Sequence, residues 1–193
     1  MRELTYLVAT SLDGYIADPS GGHDAFPTVG DHIDAYARDF PEIFPAPALD
    51  ALGITPRNET FDTVLMGWNT FAVGLPHGLD DPYPHLRQVV FSRKDRTGQV
   101  GGGVEVIDRD PVEVVRELKA EPAAAGIWLC GGSALAGALC EEIDRLVLKV
   151  NPVLLGAGLP LLGSSTSRVR DFERQDCRTF DSGVVVLTYR RST

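Results

Sequence analysis

Short apolar runs, each closed by glycine, proline or a polar turn, recur along the chain. Runs of about four to eight residues rich in valine, isoleucine and leucine favour buried strands over helices. Six such strands are predicted, at residues 3–10, 62–66, 88–91, 104–107, 127–130 and 144–150. Two later stretches, 168–180 and 184–190, alternate in polarity around a turn at 181–183, which predicts an antiparallel hairpin.

Apolar positions spaced three and four residues apart predict helices between these strands. One helix covers residues 31–40, with Asp31 near its N-cap, and another covers residues 112–120 after Pro111. A third helix begins at Ser133, which is its predicted N-cap. Strands that alternate with helices predict an α/β fold, in which helices flank a mostly parallel central sheet and the antiparallel hairpin forms an edge.

Composition narrows the possible classes of protein. The 193 residues are 44% hydrophobic and contain no linker-like stretch, so a single domain over residues 1–193 is expected. A net charge of −9 with acidic residues spread along the chain argues against a nucleic-acid partner. No apolar run is long enough to span a membrane, and the N-terminal residues lack the apolar core of a signal peptide. Three widely spaced cysteines fit reduced thiols, so a cytoplasmic protein without a metal site is expected.

Two junctions of a strand, a glycine turn and a helix start stand out in the pattern. Residues 127–139 combine a strand, Gly131-Gly132 and a helix, and Gly67 stands at a similar junction after residues 62–66. Glycine leaves backbone N–H groups bare at the positive end of a helix dipole, which makes a receptor for phosphate or pyrophosphate. The same pattern also occurs in plain tight turns, so each junction alone is a weak signal.

A basic segment at residues 92–96 follows the predicted strand 88–91 in an otherwise acidic chain. Ligands of open α/β sheets bind beyond the carboxyl ends of the strands, where this segment and both glycine junctions fall. Two anion-binding turns and a basic tip suit a dinucleotide with an additional phosphate, such as NADPH. The first strand is not followed by Gly-x-Gly-x-x-Gly, which disfavours a classical Rossmann domain.

Four motifs, in order along nearly the whole chain, resemble the dihydrofolate reductase superfamily. They are the first strand with Ser11-Leu12-Asp13-Gly14-Tyr15-Ile16-Ala17, Val64-Leu65-Met66-Gly67 with Thr70-Phe71, Val89-Val90-Phe91-Ser92-Arg93, and Cys130-Gly131-Gly132-Ser133. The loop Pro-Val-Leu-Leu-Gly-x-Gly-x-Pro-Leu at residues 152–161 is most similar to the branch that contains the reductase domain of riboflavin biosynthesis. The four motifs together are specific, although each is weak by itself.

The resemblance implies an NAD(P)H-dependent reductase that transfers a hydride to a small heterocyclic or carbonyl substrate, as 5-amino-6-(5-phosphoribosylamino)uracil reductase and dihydrofolate reductase do. It implies cofactor contacts at the nicotinamide carboxamide, on both sides of the pyrophosphate, and at the adenosine ribose with its 2′-phosphate. Ala9 and Ile16 match the residues at the nicotinamide carboxamide, and Ser92 and Arg93 match those at the adenosine ribose and its 2′-phosphate. The residues that match the two sides of the pyrophosphate are Gly67 and Thr70 on one side and Gly131, Gly132, Ser133 and Ala134 on the other. It also implies a structural role for Asp13 in holding the loop after the first strand, and a homodimer to which residues 152–162 contribute.

The chain departs from the family after Met66-Gly67, where relatives carry an arginine and this chain has Trp68. An arginine there would pair with the 2′-phosphate, so its loss leaves NADH possible beside NADPH. Arg93, Lys94 or Arg96 could replace that charge. Trp68 has two interpretations: it stacks on the adenine of the cofactor, or it is a partly buried core aromatic.

The substrate side offers two catalytic candidates. Asp34 is the acid in the middle of the predicted helix 31–40, where dihydrofolate reductases place a buried carboxylate, and His23 lies in a loop that resembles a lid. Both residues also fit plain solvated positions. A reductase is therefore the leading hypothesis, a non-catalytic nucleotide-binding module of the same fold is the main alternative, and a ligand-free interaction protein is the third.

Overall fold

The structure is a computed structural model that describes residues 1–164 and 168–192. In chain order its strands are β1 (Leu4–Thr10), β2 (Tyr15–Ala17), β3 (Phe61–Gly67), β4 (Arg87–Phe91), β5 (Val104–Ile107), β6 (Gly126–Gly131), β7 (Arg145–Val150), β8 (Leu159–Pro160), β9 (Phe172–Thr179) and β10 (Val185–Arg191). Its α-helices are α1 (Asp31–Asp39), α2 (Ala46–Leu52), α3 (Trp68–Ala72), α4 (Pro111–Ala120) and α5 (Ser133–Ala138). Short 3₁₀ turns occupy Pro41–Ile43, Leu75–His77 and Thr97–Gln99.

In this part of the chain, eight strands form one sheet in the order β5-β4-β3-β6-β1-β7-β10-β9. The pairs among β5, β4, β3, β6, β1 and β7 are parallel, while β10 pairs antiparallel with both β7 and β9. The predicted mostly parallel α/β sheet with an antiparallel C-terminal hairpin is therefore confirmed. Parallel strands need crossover connections, which explains why helices separate most of them.

Both faces of the central strands β1, β3 and β6 are buried, which explains why these strands are apolar on both sides. On one face, residues of the sheet pack against α4 and α5 in a cluster that includes Leu65, Val115 and Leu139. On the other face, the cluster is aromatic and includes Tyr36 of α1 and Trp128 of β6. A central strand thus alternates between two cores.

The turn of the C-terminal hairpin fixes α1 against the sheet. The Asp31 carboxylate accepts hydrogen bonds from the backbone N–H groups of Asp181, at 2.7 Å, and Ser182, at 3.2 Å. The buried ring of His32 lies on the same turn, with its Nδ1 2.9 Å from the Ser182 hydroxyl. The N-cap of α1 is Gly30 and Asp31 is the first helical residue, which confirms that Asp31 lies near the N-cap.

Two details differ from the sequence-based expectations. The predicted N-cap at Ser133 is wrong: Gly132 is the N-cap of α5, and Ser133 is the first helical residue. Gly131 has a φ of 136°, so the turn itself uses the two glycines and the helix starts directly after them. The short antiparallel pair of β2 with β8 was predicted as loop on both sides, since strands of two or three residues carry no periodic signal.

Among residues 1–164 and 168–192, no helix combines the length and the apolar character that crossing a bilayer requires.

Candidate active site

The two glycine junctions predicted from the sequence face each other at the carboxyl ends of β3 and β6. Met66 is the register partner of Gly131, and a Cβ added to Gly67 would lie 3.7 Å from the backbone nitrogen of Gly132. A Cβ added to Gly132 would lie only 3.0 Å from Oγ1 of Thr70, which is tighter than ordinary contact. The structure therefore brings Gly67, Thr70, Gly131 and Gly132 together at one edge of the sheet, where the glycines leave the backbone bare. This group of residues is called the cleft below. The peptide bond between Gly131 and Gly132 is cis.

The helix starts at this cleft lack side-chain caps within the described residues. Gly67 and Gly132 are the N-caps of α3 and α5, and in residues 1–164 and 168–192 no side chain accepts a hydrogen bond from the first N–H groups of either helix. The hydroxyl of Ser133 is buried and has no hydrogen-bond partner in the described residues. Ala134 follows on the exposed side of α5. These residues therefore include polar groups whose hydrogen-bonding capacity is not used by the described residues.

The sheet opens next to this cleft. β1 pairs with β7 as far as Thr10, but it pairs with β6 only from Leu4 to Tyr6. The carbonyl of Leu7 accepts a hydrogen bond of 3.1 Å from Nε1 of the Trp128 side chain instead of from the backbone of β6. Ala9, the predicted nicotinamide contact, lies on this unpaired part of β1. A planar amide can insert here because the backbone of β1 is not engaged by β6.

A basic segment lies over the start of α3. The Arg96 guanidinium is 4.6 Å from the ring centroid of Trp68, and the other contacts of that ring include Phe71 at 5.6 Å between centroids. Nε of Arg96 is buried and has no hydrogen-bond partner in the described residues. These contacts support the interpretation of Trp68 as a core aromatic, while adenine stacking stays a prediction. Ser92 is half-buried and donates to the Lys94 carbonyl at 2.8 Å, and Arg93 is exposed.

The loop after β1 is held by Asp13, in the structural role that the resemblance implies. Its carboxylate accepts hydrogen bonds from the Ser11 hydroxyl at 2.6 Å and from the backbone N–H groups of Leu155 and Gly156 at 3.1 and 2.7 Å. These bonds, the Ser11 hydroxyl first, lower the pKa of Asp13. Ile16 lies half-buried in β2, which the same loop carries. Asp13 therefore joins the loop after β1 to the loop after β7.

The two catalytic candidates are not brought to the cleft floor. Asp34 is exposed, since the buried face of α1 carries His32, Ala35 and Tyr36 and a residue two positions from His32 points away from it. His23 is also exposed, in the loop between β2 and α1. Their catalytic roles therefore remain predictions.

Lys149, which the sequence reasoning missed, lies half-buried near the end of β7. The signal was available, because it is a single lysine within an otherwise apolar strand end. Burial lowers the pKa of its ammonium group.

Cys130 precedes the glycine turn but is a poor candidate nucleophile. Burial raises the pKa of its thiol to about 12, against a smaller lowering by the neighbouring Tyr83 hydroxyl. A thiol with such a pKa is protonated near neutral pH and reacts slowly.

A wide cavity of about 810 Å³ lies at the opposite edge of the sheet, by the amino ends of β1 and β6. Two of its cations are already paired: the buried Arg2 contacts Asp62 and Glu121, and the buried Lys119 is 2.7 Å from Asp144. Size alone does not make it the site, because the open backbone and hydroxyl groups lie at the carboxyl edge.

The chain is similar to known proteins over most of its length. It is 31% identical over 199 residues to the uncharacterized protein YyaP of Bacillus subtilis (strain 168), which covers 97% of this chain and 94% of the relative. It is 27% identical over 182 residues to YwjB of the same organism, covering 88% of this chain and 87% of the relative.

Solved structures show the same fold. A candidate riboflavin biosynthesis protein of Shewanella sp. PV-4 superposes with a TM-score of 0.71 and 24% identity over the full length of both chains. The diaminohydroxyphosphoribosylaminopyrimidine deaminase/5-amino-6-(5-phosphoribosylamino)uracil reductase of Thermotoga maritima superposes with a TM-score of 0.66 and 16% identity, and the match covers 99% of this chain and 57% of that one. The family model for the RibD C-terminal domain matches residues 2–186, so the chain belongs to the RibD C-terminal domain family.

Proposed function

We propose that the protein is an NAD(P)H-dependent reductase that transfers a hydride to a small heterocyclic or carbonyl compound. One observation carries the proposal: the glycine junctions of β3 and β6 face each other beside the end of β1 that does not pair with β6. This arrangement offers bare backbone for a pyrophosphate and, next to it, a strand edge that is free on the β6 side for a nicotinamide amide. The reductase activity in the name of the Thermotoga maritima protein is consistent with this proposal.

The residues of the cleft fit a dinucleotide. Side chains at Gly67 and Gly132 would fill the space between the two junctions, and the Ser133 hydroxyl is a buried polar group without a partner in the described residues. Thr70 adds a second hydroxyl on the opposite wall. A pyrophosphate accepts hydrogen bonds only, so N–H groups and hydroxyls are the donors that it requires.

The remaining cofactor contacts follow from the same placement. Ala9 and Ile16 would hold the nicotinamide amide, Ser92 and Arg93 would lie by the adenosine ribose, and Arg96 would supply the charge that prefers NADPH to NADH. When bound, the nicotinamide supplies the hydride. The protein orients the reacting groups and excludes water, and its residues determine which substrate is accepted.

A non-catalytic nucleotide-binding module is the second candidate, because a fold does not determine an activity. The exposure of both Asp34 and His23 favours it, since no acid or histidine of the predicted pair lines the cleft floor. Oxidation of NADPH by any carbonyl or pyrimidine acceptor would exclude this alternative, whereas binding without turnover for every acceptor would support it.

Gly132→Asp tests the pyrophosphate cleft. The new carboxylate would occupy the anion site, so we expect the NADPH dissociation constant, measured by the fluorescence of the reduced nicotinamide, to rise about a hundredfold. Gly102→Asp is the matched control, because a Cβ there meets nothing and the residue lies at the amino end of β5. Unchanged affinity in a folded Gly132→Asp variant would contradict the proposed cleft.

Thr70→Val is a milder test that keeps the shape of the side chain. Loss of one hydroxyl donor to a charged oxygen should weaken NADPH binding about tenfold. If NADPH affinity stayed the same, Thr70 would not contact the cofactor.

A further inference from the structure

Lys149 lies near the carboxyl end of β7, on the side of β1 that faces away from β6. It is the register partner of Ala9 in β1 and of Val186 in β10. Partners in register share a face of the sheet, so the lysine side chain projects toward the same face as Leu7 and Val147. That face carries the cluster that includes Tyr36, so the ammonium group lies between the end of β1 and α1.

The three lysines of the chain have different environments. Lys94 is exposed after β4. Lys119 is buried but compensated, because its ammonium lies 2.7 Å from Asp144 and donates to the Glu142 carbonyl at 2.6 Å. Within residues 1–164 and 168–192, the ammonium of Lys149 has neither an ion pair nor a hydrogen bond.

The surroundings of Lys149 do not compensate its charge. Its strand neighbours on this face, Ala9 and Val186, are apolar. The titratable group of α1 that interacts with it is His32, whose pKa is lowered by burial and further by the Lys149 charge. The Tyr36 hydroxyl, in the same cluster, is buried without a hydrogen-bond partner in the described residues. A half-buried ammonium without a counter-ion costs folding free energy, so an anionic oxygen of a ligand would supply the missing counter-charge. The position beside Lys149, Ala9 and His32 is called the Lys149 pocket below.

We propose that Lys149 is the substrate-binding cation of this pocket and contacts an anionic or carbonyl oxygen of the substrate. The inference rests on the proposed reductase function, because it places the substrate between Ala9, where the nicotinamide would lie, and α1. The substrate class is thereby narrowed to compounds that present a carbonyl or acidic oxygen beside the carbon that accepts the hydride. A lysine suits this role, since its ammonium offers three donors and no acceptor.

Labelling with pyridoxal 5′-phosphate, an anionic aldehyde, tests the pocket without knowledge of the natural substrate. The neutral amine of a lysine attacks the aldehyde carbon, water leaves, and borohydride reduces the resulting imine to a stable amine that peptide mass mapping locates. We expect Lys149 to be labelled several-fold faster than Lys94, and Lys119 slowest. Labelling of Lys149 no faster than that of Lys119 would overturn the inference.

Saturating NADPH separates the inference from the proposed function. We expect NADPH to raise the melting temperature and to protect Lys149, but not Lys94, from labelling. A higher melting temperature without protection of Lys149 would refute the inference and leave the reductase proposal standing. A third outcome is rapid labelling of Lys149 that NADPH does not prevent, together with an unchanged melting temperature in NADPH. That outcome would support the Lys149 pocket and contradict the proposed function.

Lys149→Met and Lys149→Arg distinguish binding from a structural role. Methionine has a similar length and needs no counter-ion, so Lys149→Met should lose labelling in the pocket while its melting temperature equals or exceeds that of the wild type. The folded pKa of Lys149 lies below its ordinary value of 10.5, so the charge destabilises the fold at neutral pH and this cost disappears as the pH rises toward 10.5. The difference in melting temperature between Lys149→Met and the wild type should therefore shrink at alkaline pH. Titration of His32 does not interfere, because it occurs at lower pH. A large loss of stability in Lys149→Met with retention in Lys149→Arg would instead assign the lysine a structural role.

Discussion

At the scale of single residues, we propose that Arg96 supplies the positive charge that the chain lacks at Trp68. The resemblance to dihydrofolate reductases implies an arginine after Met66-Gly67, and this chain has a tryptophan there. The structure places the Arg96 guanidinium over the Trp68 ring, at the start of α3. Cation–π contact with Trp68 holds Arg96 beside the cleft, which is where a 2′-phosphate would need a positive charge.

Arg96→Ala should therefore change the choice between the two nicotinamide cofactors. We expect the NADPH dissociation constant to rise about tenfold and the NADH constant to stay within about twofold, because only NADPH carries the 2′-phosphate. Titration of each cofactor by nicotinamide fluorescence measures this. Arg57→Ala is the control, since Arg57 is exposed and its guanidinium lies 3.8 Å from Glu59, away from the cleft. An equal loss for both cofactors would contradict the assignment of Arg96 to the 2′-phosphate.

Asp13 provides a residue-scale prediction with a pH dependence. Its folded pKa lies below the ordinary 3.8, so its hydrogen bonds to Ser11, Leu155 and Gly156 stabilise the fold above that pH and are lost as the pH falls through the folded pKa. Asp13→Asn should lower the melting temperature by a few degrees at pH 7, and the difference from the wild type should vanish in more acidic solution. Asp50→Asn on α2 is the exposed control. A difference that grew toward acid pH would contradict this role.

At the scale of elements, the parallel strands were predicted well because each is apolar on both faces. The predicted strand at 62–66 lies within β3, and the one at 104–107 coincides with β5. The hairpin of β9 and β10 was also recovered, since alternation and a turn give independent signals. The short strands β2 and β8 were missed because they carry no periodic signal. The N-cap of α5 was misplaced because it depends on the backbone of the glycine turn before the helix.

The placement of the candidate site residues was predictable where it depends on backbone and unpredictable where it depends on side-chain direction. Glycines at strand ends indicated the cleft, because parallel strands bring their carboxyl ends to one edge. Asp34 is exposed because α1 turns the face that carries His32, Ala35 and Tyr36 toward the sheet. The hydrogen bond between Asp31 and the hairpin turn fixes this orientation, which the helix sequence alone does not reveal. Lys149 was overlooked although it is a single lysine in an apolar strand end, because only the structure shows that it lacks a counter-ion in the described residues.

At the scale of the whole molecule, an apolar surface lies beside the loop that Asp13 holds. Leu12, Leu154 and Leu159 are 61%, 72% and 39% exposed. They are brought together because the backbone N–H of Leu12 donates to the Val153 carbonyl at 2.8 Å and β8 pairs with β2. Exposed apolar residues that adjoin one another mark interaction surfaces, and we propose that a second copy of this chain covers them.

Leu154→Glu should therefore convert a dimer into a monomer. Burying a carboxylate in each half of a symmetric contact is costly, so size-exclusion chromatography with light scattering should report half the mass of the wild type. Leu52→Glu, which adds the same charge to an exposed leucine of α2, should leave the mass unchanged. A wild-type protein that elutes as a monomer at micromolar concentration would contradict the proposed dimer.

The central claim, that the carboxyl edge of the sheet binds a reduced nicotinamide dinucleotide, is tested most directly by thermal unfolding of the wild-type protein with and without NADPH, NADH and NADP⁺. A ligand that binds only the folded state raises the melting temperature, and the rise grows with the ratio of ligand concentration to dissociation constant. We predict a clear rise with NADPH and a smaller one with NADH, because Arg96 adds a contact to the 2′-phosphate alone. The absence of any rise at millimolar concentrations of all three nucleotides would contradict the account.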